Sequence, residues 1–441
     1  MSENRASADA PAVARARALA SLFRLSEPIQ ACDFPYKGNI NQDTYLISAG
    51  PPGETSQYLL QRINHEVFTK PRSVMRAMLA CLAAQQESMR RGVLRDGEEW
   101  EPVRLIPTRD GRPFLETEDE YGYGCWRLMS KVPEARAYKS LSEIADPAER
   151  LDVAEQAGSG LALYGALTAD MDLSGLERPL PGYRDTHLYY SQLLSVLGGA
   201  RTAEDAEPHL PADPVVRESA LHHFLVSLPE CQRQSRLSEP AVESSLRLLR
   251  EERPFATRLV DRLQQGIIRT VAIHGDTKLD NFLFSARTGK VKALIDLDTI
   301  MPHTWLSDWG DLVRSLVNVA GEKAPNPTQV QVDLTVYEAV ARGFLRSARG
   351  LPAEEIRLMV DAPQIIALEL GARFLADYLR GDTYFKLGPR DPSALNRTRA
   401  IVQLTLFQRL REAAPAAQAC IERLASAVHP PSKSDKSDRS V

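Results

Sequence analysis

The sequence TVAIHGDTKLDNFLFSARTGKVKALIDLDT, residues 270–299, predicts a small β segment between long helical regions. A buried strand ends at Ile273, and a loop follows it. The runs NFLFS and VKALIDLD then form a hairpin, because ARTGK between them has the composition of a turn. Alternation along the second strand places Asp296 at its end, on the face opposite Val291 and Ile295.

Three polar side chains in this segment stand at informative spacings. Asp276 lies in the loop after the first strand, Asn281 follows five residues later, and Asp296 ends the hairpin. Phosphoryl transfer needs a carboxylate aimed at the attacking hydroxyl, together with oxygen ligands that hold Mg²⁺ against the nucleotide phosphates. The pattern therefore favours phosphoryl transfer, with Asp276 as the base and with Asn281 and Asp296 at the metal.

The sequence on either side predicts a two-lobed α+β chain. Before residue 133, strand-like runs such as SQYLLQRIN and GCWRLMSKV accompany one amphipathic helix, PRSVMRAMLACLAAQQESMRR. Helical periodicity dominates afterwards, and residues 200–215 are expected to form a loop. We expect a tail with a short helix at residues 1–27 and a β-rich lobe at 28–132. A helical lobe follows at 133–428, and a disordered tail at 429–441.

Composition excludes several classes of function. The 441 residues include 54 Lys and Arg against 58 Asp and Glu, so the net charge of −4 argues against a dedicated nucleic-acid binder. The five cysteines are scattered and form no C-x-x-C pair, which favours reduced thiols in a cytoplasmic protein. No apolar run approaches the ~18–20 residues that a membrane span needs. We expect a cytoplasmic protein that binds small molecules.

The segment HGDTKLDN…IDLD resembles the phosphotransferase motif of the aminoglycoside phosphotransferase and choline kinase superfamily. The blocks GNINQDTYLI, YLLQRINHEVF, LIDLDTIMP, DWGDLVRS and ARFLADYLRGDTYFKL extend the resemblance to bacterial N-acetylhexosamine 1-kinases, over about residues 37–400. The resemblance implies a protein-kinase-like fold, in which a small β-rich N-lobe closes over ATP and a larger, mainly helical C-lobe carries the catalytic loop.

The same resemblance implies roles for the acidic residues. Asp276 would be the base facing a sugar hydroxyl, and Asn281 and Asp296 would ligate Mg²⁺. Asp298 would be a second ligand or a hydrogen-bond partner of the metal shell. The acceptor would be the anomeric hydroxyl of an N-acetylhexosamine. An amino alcohol, another hexose or an aminoglycoside is an alternative acceptor, and a pseudokinase that only binds ligands is a third interpretation.

On the nucleotide side, the N-lobe is implied to cover the phosphates, although the chain contains no Walker A sequence. The run YLLQRIN lacks the phosphate-binding Lys that protein kinases carry on the equivalent strand. Register favours Gln61 in that place, with Arg62 as the cationic alternative. The strand WRLMSKVP is expected to pair with the adenine edge. The nucleotide-side candidates are Gly38, Asn39, Asn41, Gln61, Arg62, Met129 and Lys131.

On the acceptor side, Arg373 and Tyr384 match positions that hold the sugar in the resembling kinases. An ion pair between Arg373 and Asp377, one helical turn apart, is the structural alternative. Arg184 and His303 stand where the resembling kinases usually have His and Gly, and both are expected to shape the acceptor pocket. Two further acids, Asp308 and Asp311, are expected to brace the catalytic loop or cap the next helix rather than touch substrate.

Overall fold

The computed structural model describes residues 10–35, 37, 40–388 and 390–428. The described N-terminal part contains a five-stranded antiparallel sheet with the strand order β1-β2-β3-β5-β4. Its strands are β1 Ile29–Asp33, β2 Thr44–Ala49, β3 Ser56–Arg62, β4 Leu115–Asp119 and β5 Gly122–Ser130. The expected α+β fold class, with a β-rich first part and a mainly helical remainder, is confirmed.

Helix α1, Ala10–Ala20, and helix α2, Pro71–Arg90, accompany this sheet. Pro71 occupies the first turn of α2, where its missing N–H costs nothing. The predicted apolar face of α2 is buried, including Met75 and Met78. A separate apolar cluster joins α1 to the sheet, and its members include Ala16, Leu19, Phe23, Ile47, Leu60, Trp126 and Leu128.

The remainder is mainly helical. Its helices are α3 Pro147–Leu167, α4 Thr186–Gly198, α5 Ala203–Ala206, α6 Pro214–Ala220, α7 Glu230–Leu237, α8 Pro240–Ala256, α9 Arg258–Gln264, α10 Trp305–Val317, α11 Leu334–Ser347, α12 Ala353–Arg357, α13 Asp361–Arg380 and α14 Leu395–Val428. Helices α3 and α11 cross closely, because a Cβ at Gly158 would lie 2.1 Å from the carbonyl oxygen of Val340. In the part of the chain that the structure describes, no helix is both long and apolar enough to cross a membrane.

The expectation of a plain loop over residues 200–215 was wrong in part. Helix α5 begins there, because the hydroxyl of Thr202 accepts from the N–H of Asp205 while the Asp205 carboxylate accepts from the N–H of Thr202. This reciprocal capping stabilises a short helix that its polar composition hides. The predicted C-terminal tail, 429–441, lies outside the described residues.

The β segment between α9 and α10 has the predicted form. Strand β7, Val271–Ile273, pairs with β10, Met301–His303, and the hairpin of β8, Phe282–Ser285, and β9, Val291–Leu294, lies between them in the chain. A two-residue strand, β6 Ala135–Arg136, extends the hairpin to three strands. The loop after β7 and the turn after β9 therefore start from fixed strand ends.

Candidate active site

The loop after β7 is fixed by hydrogen bonds to helix α10. The carboxylate of Asp308 accepts the backbone N–H of His274 at 2.6 Å and that of Gly275 at 2.8 Å, and its carbonyl accepts the hydroxyl of Thr277 at 2.7 Å. Gly275 has φ +87°, and a Cβ there would lie 2.8 Å from the Thr299 carbonyl oxygen. The predicted bracing role of Asp308 is confirmed.

Asp276 therefore sits on a rigid loop with its carboxylate accessible. Its side chain is 35% exposed, and one carboxylate oxygen lies 3.1 Å from the ammonium group of Lys278. The side-chain amide of Asn281 donates to the Asp276 carbonyl at 2.7 Å, which fixes the direction of both residues. Lys278 was not assigned a role from the sequence, although its position two residues after Asp276 was visible there.

Asn281 and Asp296 offer the oxygen atoms that a magnesium ion prefers. The Asn281 amide nitrogen is held by Asp276, so its side-chain oxygen is left for a ligand. Asp296 has φ +63°, and no hydrogen bond to its carboxylate is found among the described residues. The pKa of Asp296 is raised to about 7. Desolvation by the surrounding protein is the largest cause, and the negative charges of Asp298 and Asp276 follow, although the residue keeps contact with solvent. A divalent cation would relieve this repulsion, so the donor set fits Mg²⁺.

Asn281 and Asp296 alone do not form a complete metal-binding site. Within the described ranges, no three His, Cys, Asp or Glu side chains are grouped closely enough to hold a metal. Mg²⁺ in nucleotide-dependent enzymes commonly uses one or two protein oxygens and takes the rest from phosphates and water. The arrangement is therefore suited to a metal that arrives with a nucleotide.

Asp298 is engaged differently from Asp296. One of its oxygens forms an ion pair with Nη1 of Arg127, and the other accepts the side-chain amide of Asn41 at 2.5 Å. The side chain of Asp298 is only 4% exposed. This geometry favours the predicted role of a hydrogen-bond partner near the metal over that of a direct ligand.

Arg127 is a candidate that the sequence analysis missed. It lies on β5 directly opposite Gln61 of β3, and its guanidinium donates to the Gln61 side-chain oxygen at 2.5 and 3.2 Å. The residue is 1% exposed. A signal existed in the run GCWRLMS, where Arg127 is a single cation among apolar neighbours on a strand expected to be buried.

The other nucleotide-side candidates are spread along the N-terminal sheet. Gln61 bonds to Thr44 and Arg127, whereas Arg62 pairs with Asp43 at 2.6 Å, so the two side chains point to opposite faces as predicted. Gly38 and Asn39 lie outside the described residues. The candidate Asn41 contacts Asp298 and also accepts the backbone N–H of Asn64 at 2.9 Å.

The strand segment that is expected to pair with adenine already forms hydrogen bonds within the protein. The backbone N–H of Ser130 donates to the Arg104 carbonyl at 2.8 Å, and that of Lys131 donates to the Gln57 carbonyl at 3.1 Å. Met129 pairs with Leu59 in the sheet. An adenine contact at this strand would therefore use groups other than these two N–H donors.

Arg184 is buried on the acceptor side. Its Nη1 pairs with Glu369 at 3.1 Å, and its Nη2 donates to Asp311 at 2.9 Å and to the Gly275 carbonyl at 3.0 Å. The side chain is 2% exposed. These contacts favour a role in holding the catalytic loop over direct contact with an acceptor.

His303, the other residue expected to shape the acceptor pocket, is also buried. Burial lowers its pKa to about 3, so the ring is neutral inside the fold.

Arg373 has a different environment from Arg184. Its guanidinium carbon lies 4.7 Å from the ring centre of Tyr189 and 5.4 Å from that of Tyr183. Tyr384 and Phe385 complete this aromatic shell at 5.8 and 5.5 Å. No carboxylate is within ion-pairing distance of Arg373 among the described residues.

The structural alternative for Arg373, an ion pair with Asp377, was wrong. Asp377 pairs with Arg380 at 2.5 Å and accepts the backbone N–H groups of Tyr384 and Phe385 at 3.0 and 2.8 Å. The shell around Arg373 is connected to the catalytic loop, because the hydroxyl of Tyr183 donates to the Gly275 carbonyl at 2.9 Å. Arg373 is thus a cation for which the described part of the chain supplies no acidic partner, close to the loop of Asp276.

The model of the phosphotransferase enzyme family matches residues 35–382 of the chain, which includes the loop, the hairpin and Arg373. The chain belongs to this family.

One solved kinase shares the fold of this phosphotransferase, and two other solved structures match it less well. A microcompartment-associated aminopropanol kinase is 16% identical with a TM-score of 0.54, over 92% of this chain and 98% of that one. A putative aminoglycoside phosphotransferase from Ralstonia eutropha is 14% identical with a TM-score of 0.46, over 92% and 98% of the two chains. The ethanolamine kinase of Plasmodium vivax is 11% identical with a TM-score of 0.41, over 85% and 81%.

The family match confirms the expected superfamily of aminoglycoside phosphotransferases and choline kinases, and with it a small-molecule phosphotransferase. Kinases of this family use ATP and Mg²⁺. The match does not extend to the narrower group of N-acetylhexosamine kinases, and identities of 9–16% among the solved structures show the fold alone. The acceptor of this phosphotransferase therefore has to be argued from its own residues.

Proposed function

We propose that this phosphotransferase transfers the γ-phosphate of ATP to a sugar hydroxyl, and that the acceptor is the anomeric hydroxyl of an N-acetylhexosamine. The observation that carries the choice of acceptor is the unpaired guanidinium of Arg373 beside the catalytic loop. Such a group attracts a carbonyl or hydroxyl oxygen and repels an ammonium group.

In this proposal Asp276 is the catalytic base. The acceptor oxygen attacks the γ-phosphorus, its proton passes to the Asp276 carboxylate, and the bond between that phosphorus and the β–γ bridging oxygen breaks to release ADP. An anomeric hydroxyl is more acidic than an ordinary alcohol, so one carboxylate is sufficient to accept its proton. The ammonium group of Lys278 lies 3.1 Å from that carboxylate, where its positive charge attracts the carboxylate and helps to fix its position.

Asn281 and Asp296 are proposed to hold Mg²⁺ through their side-chain oxygens. When bound, the ion neutralises charge on the phosphates as they react. Gln61 on strand β3 and Asn41 in the loop before β2 are proposed to orient the nucleotide. Roles for Gly38, Asn39, Arg62, Met129 and Lys131 remain proposals from the sequence.

Arg373 and Tyr384 are proposed to bind the sugar. The guanidinium would donate to the N-acetyl carbonyl or to ring hydroxyls, and the tyrosine ring provides an apolar face for the pyranose. The aromatic rings around Arg373 shield part of its guanidinium from water, which strengthens each bond that it makes to a neutral acceptor.

An amino alcohol is the second candidate acceptor, because the aminopropanol kinase shares the fold. Recognition of an ammonium group needs a free carboxylate or an open aromatic cage. Near the loop, Glu369 and Asp311 are both paired with Arg184, and the aromatic shell already encloses a cation. These contacts favour the sugar over the amino alcohol.

The test is a panel of acceptors assayed for ADP formation with ATP and Mg²⁺. N-acetylglucosamine and N-acetylgalactosamine are compared with glucose, galactose, ethanolamine, 1-amino-2-propanol, choline and kanamycin. We expect ADP formation with an N-acetylhexosamine and a product that carries phosphate at C1. Faster turnover of any amino alcohol or aminoglycoside would overturn the choice of acceptor, and absence of any acceptor-dependent ADP would favour a pseudokinase.

A further inference from the structure

We infer that Arg127 and Asp298 form a buried latch between the N-terminal sheet and the metal-binding turn, and that this latch positions Asp296 and the nucleotide-covering sheet relative to each other. Arg127 is thereby a positioning residue of the transfer reaction. The inference rests on the proposed kinase activity but not on the identity of the acceptor.

The latch joins two distant parts of the chain. Arg127 lies on β5 of the N-terminal sheet, and Asp298 lies in a single turn of 3-10 helix, Leu297–Thr299, that immediately follows Asp296. The side chains of the pair are 2% and 4% exposed. Because Asp298 is only two residues from Asp296 in a tight turn, any movement of its carboxylate is passed to the metal ligand.

Further contacts on both sides fix the latch. Nη2 and Nε of Arg127 donate to Gln61, and Nη1 lies 3.4 Å from the sulfur of Met78 on α2. The second oxygen of Asp298 accepts from Asn41, which comes from the loop before β2. Strand β3 and helix α2 thus contact the guanidinium of Arg127, and strand β5 and this loop contact the carboxylate of Asp298.

Electrostatics argues that this pair does more than add stability. Removing two charges from water is unfavourable, and a buried ion pair commonly contributes no more than an apolar pair of similar size. What a buried pair does supply is a close contact that is lost if either partner moves by an ångström or two. At this place that contact controls the distance between the sheet above the nucleotide and the ligands below it.

The latch also accounts for the absent lysine of β3. The strand that would carry it has Gln61, and the cation is supplied instead by the directly opposite residue of the neighbouring strand. Gln61 accepts two hydrogen bonds from that cation, so its side chain is oriented by Arg127 rather than by a carboxylate. Loss of Arg127 is therefore expected to affect Gln61 and Asp296 together.

The test uses Mg²⁺-dependent binding of ADP to the full chain, measured by titration calorimetry at a series of Mg²⁺ concentrations. Arg127→Met, Arg127→Lys and Asp298→Asn are compared with Arg72→Met. That control removes an exposed ion pair with Glu116 in the same N-terminal part. We expect Arg127→Met to weaken the Mg²⁺ dependence and the ADP affinity by about tenfold or more, as partners of metal ligands commonly do. Arg127→Lys should recover part of this loss, and Arg72→Met should have no effect.

Unchanged ADP affinity and Mg²⁺ dependence in folded Arg127→Met would overturn the latch, even if its melting temperature fell. If Arg127→Met does not fold, Asp298→Asn decides on the same criterion, because Asn preserves the volume and one acceptor oxygen. Losses in the two single variants should not add in the double variant if the residues act as a pair. The acceptor panel does not enter this experiment, so the latch and the proposed acceptor can fail separately.

Discussion

The carboxylate of Asp308 accepts the backbone N–H of Gly275 at 2.8 Å, and this contact ties the first turn of helix α10 to the residue that precedes Asp276. The apolar face of helix α10 is buried, so the loop is anchored to the core. If Asp276 is the base, as we propose, this anchoring keeps its carboxylate in one direction when the nucleotide and the acceptor bind.

Asp276→Asn should leave the fold intact and lower kcat by about 10²–10⁴-fold, because the amide cannot accept the acceptor proton. The measurement is steady-state ADP formation with the preferred acceptor, alongside a melting curve. Asp213→Asn is a matched control, since it changes an exposed helix-capping carboxylate to a residue that also caps well. Near-normal turnover in Asp276→Asn would remove the base assignment.

Asp296→Ala should abolish Mg²⁺-dependent activity, and excess Mg²⁺ should not restore it. Asn281 alone offers one neutral oxygen, which is too weak a ligand set for Mg²⁺ beside nucleotide phosphates. The check is a Mg²⁺ titration of activity together with the Mg²⁺-dependent shift in melting temperature with ADP present. A variant in which only the acceptor KM changed would show that Asp296 does not bind the metal.

Arg373→Met should raise the acceptor KM by about tenfold or more while the KM for ATP changes little, because a charged donor to the acceptor contributes about 1.5–3 kcal/mol. Arg253→Met is the control, since it removes another arginine that lies over a tyrosine ring. The guanidinium carbon of Arg253 is 5.7 Å from the ring centre of Tyr190. An Arg373→Met enzyme that turned over amino alcohols better than sugars would show that this charge selects against cations. Equal increases in both KM values would place Arg373 outside the acceptor site.

Arg184→Met should destabilise the protein by about 3–5 kcal/mol, because it leaves the buried carboxylates of Glu369 and Asp311 without their shared partner. The free energy of unfolding is measured by urea denaturation. Arg217→Met, which breaks an exposed ion pair with Glu207, should change it by about 1 kcal/mol or less. If Arg184→Met were as stable as the parent and only the acceptor KM rose, contact with the acceptor would be the better assignment.

Gly158→Ala should destabilise the helical part by at least about 2 kcal/mol, because its Cβ would overlap the carbonyl oxygen of Val340. Gly165 lies on the same helix, and a Cβ added there would meet nothing within 4 Å. Gly165→Ala should therefore raise stability by up to about 1 kcal/mol through helix propensity alone. Urea denaturation of both variants gives the comparison, and equal effects would contradict the close crossing of α3 and α11.

The local elements around the catalytic loop could be predicted because they depend on neighbouring residues. The strand before His274 and the hairpin follow from alternation and turn composition. The family motif added the fold of the whole chain. The roles of Asp276, Asn281 and Asp296 in catalysis stay predictions, although the structure places them on one rigid frame.

The contacts that could not be predicted depend on residues far apart in the chain. The partner of Arg127 lies 171 positions away at Asp298, and no local pattern reports that distance. Arg184 pairs with Glu369, which lies 185 positions away in the chain. This contact favours a role in holding the loop for Arg184, which was expected to bind the acceptor. Asp377 was the alternative partner of Arg373, but it pairs with Arg380 of the same helix, and the chain after α13 folds back so that the backbone N–H groups of Tyr384 and Phe385 reach it.

Helix α1 and the whole of helix α14 fall outside residues 35–382, the part of the chain that the family model matches, yet both cover apolar surface. A polypeptide trimmed to residues 35–382 would expose Leu60 and Leu128, which pack with α1, and the side of α13 that packs against α14. Such a fragment would self-associate in solution, and its loss of activity would be mistaken for a defect in chemistry. Recombinant work on this enzyme should retain both extensions.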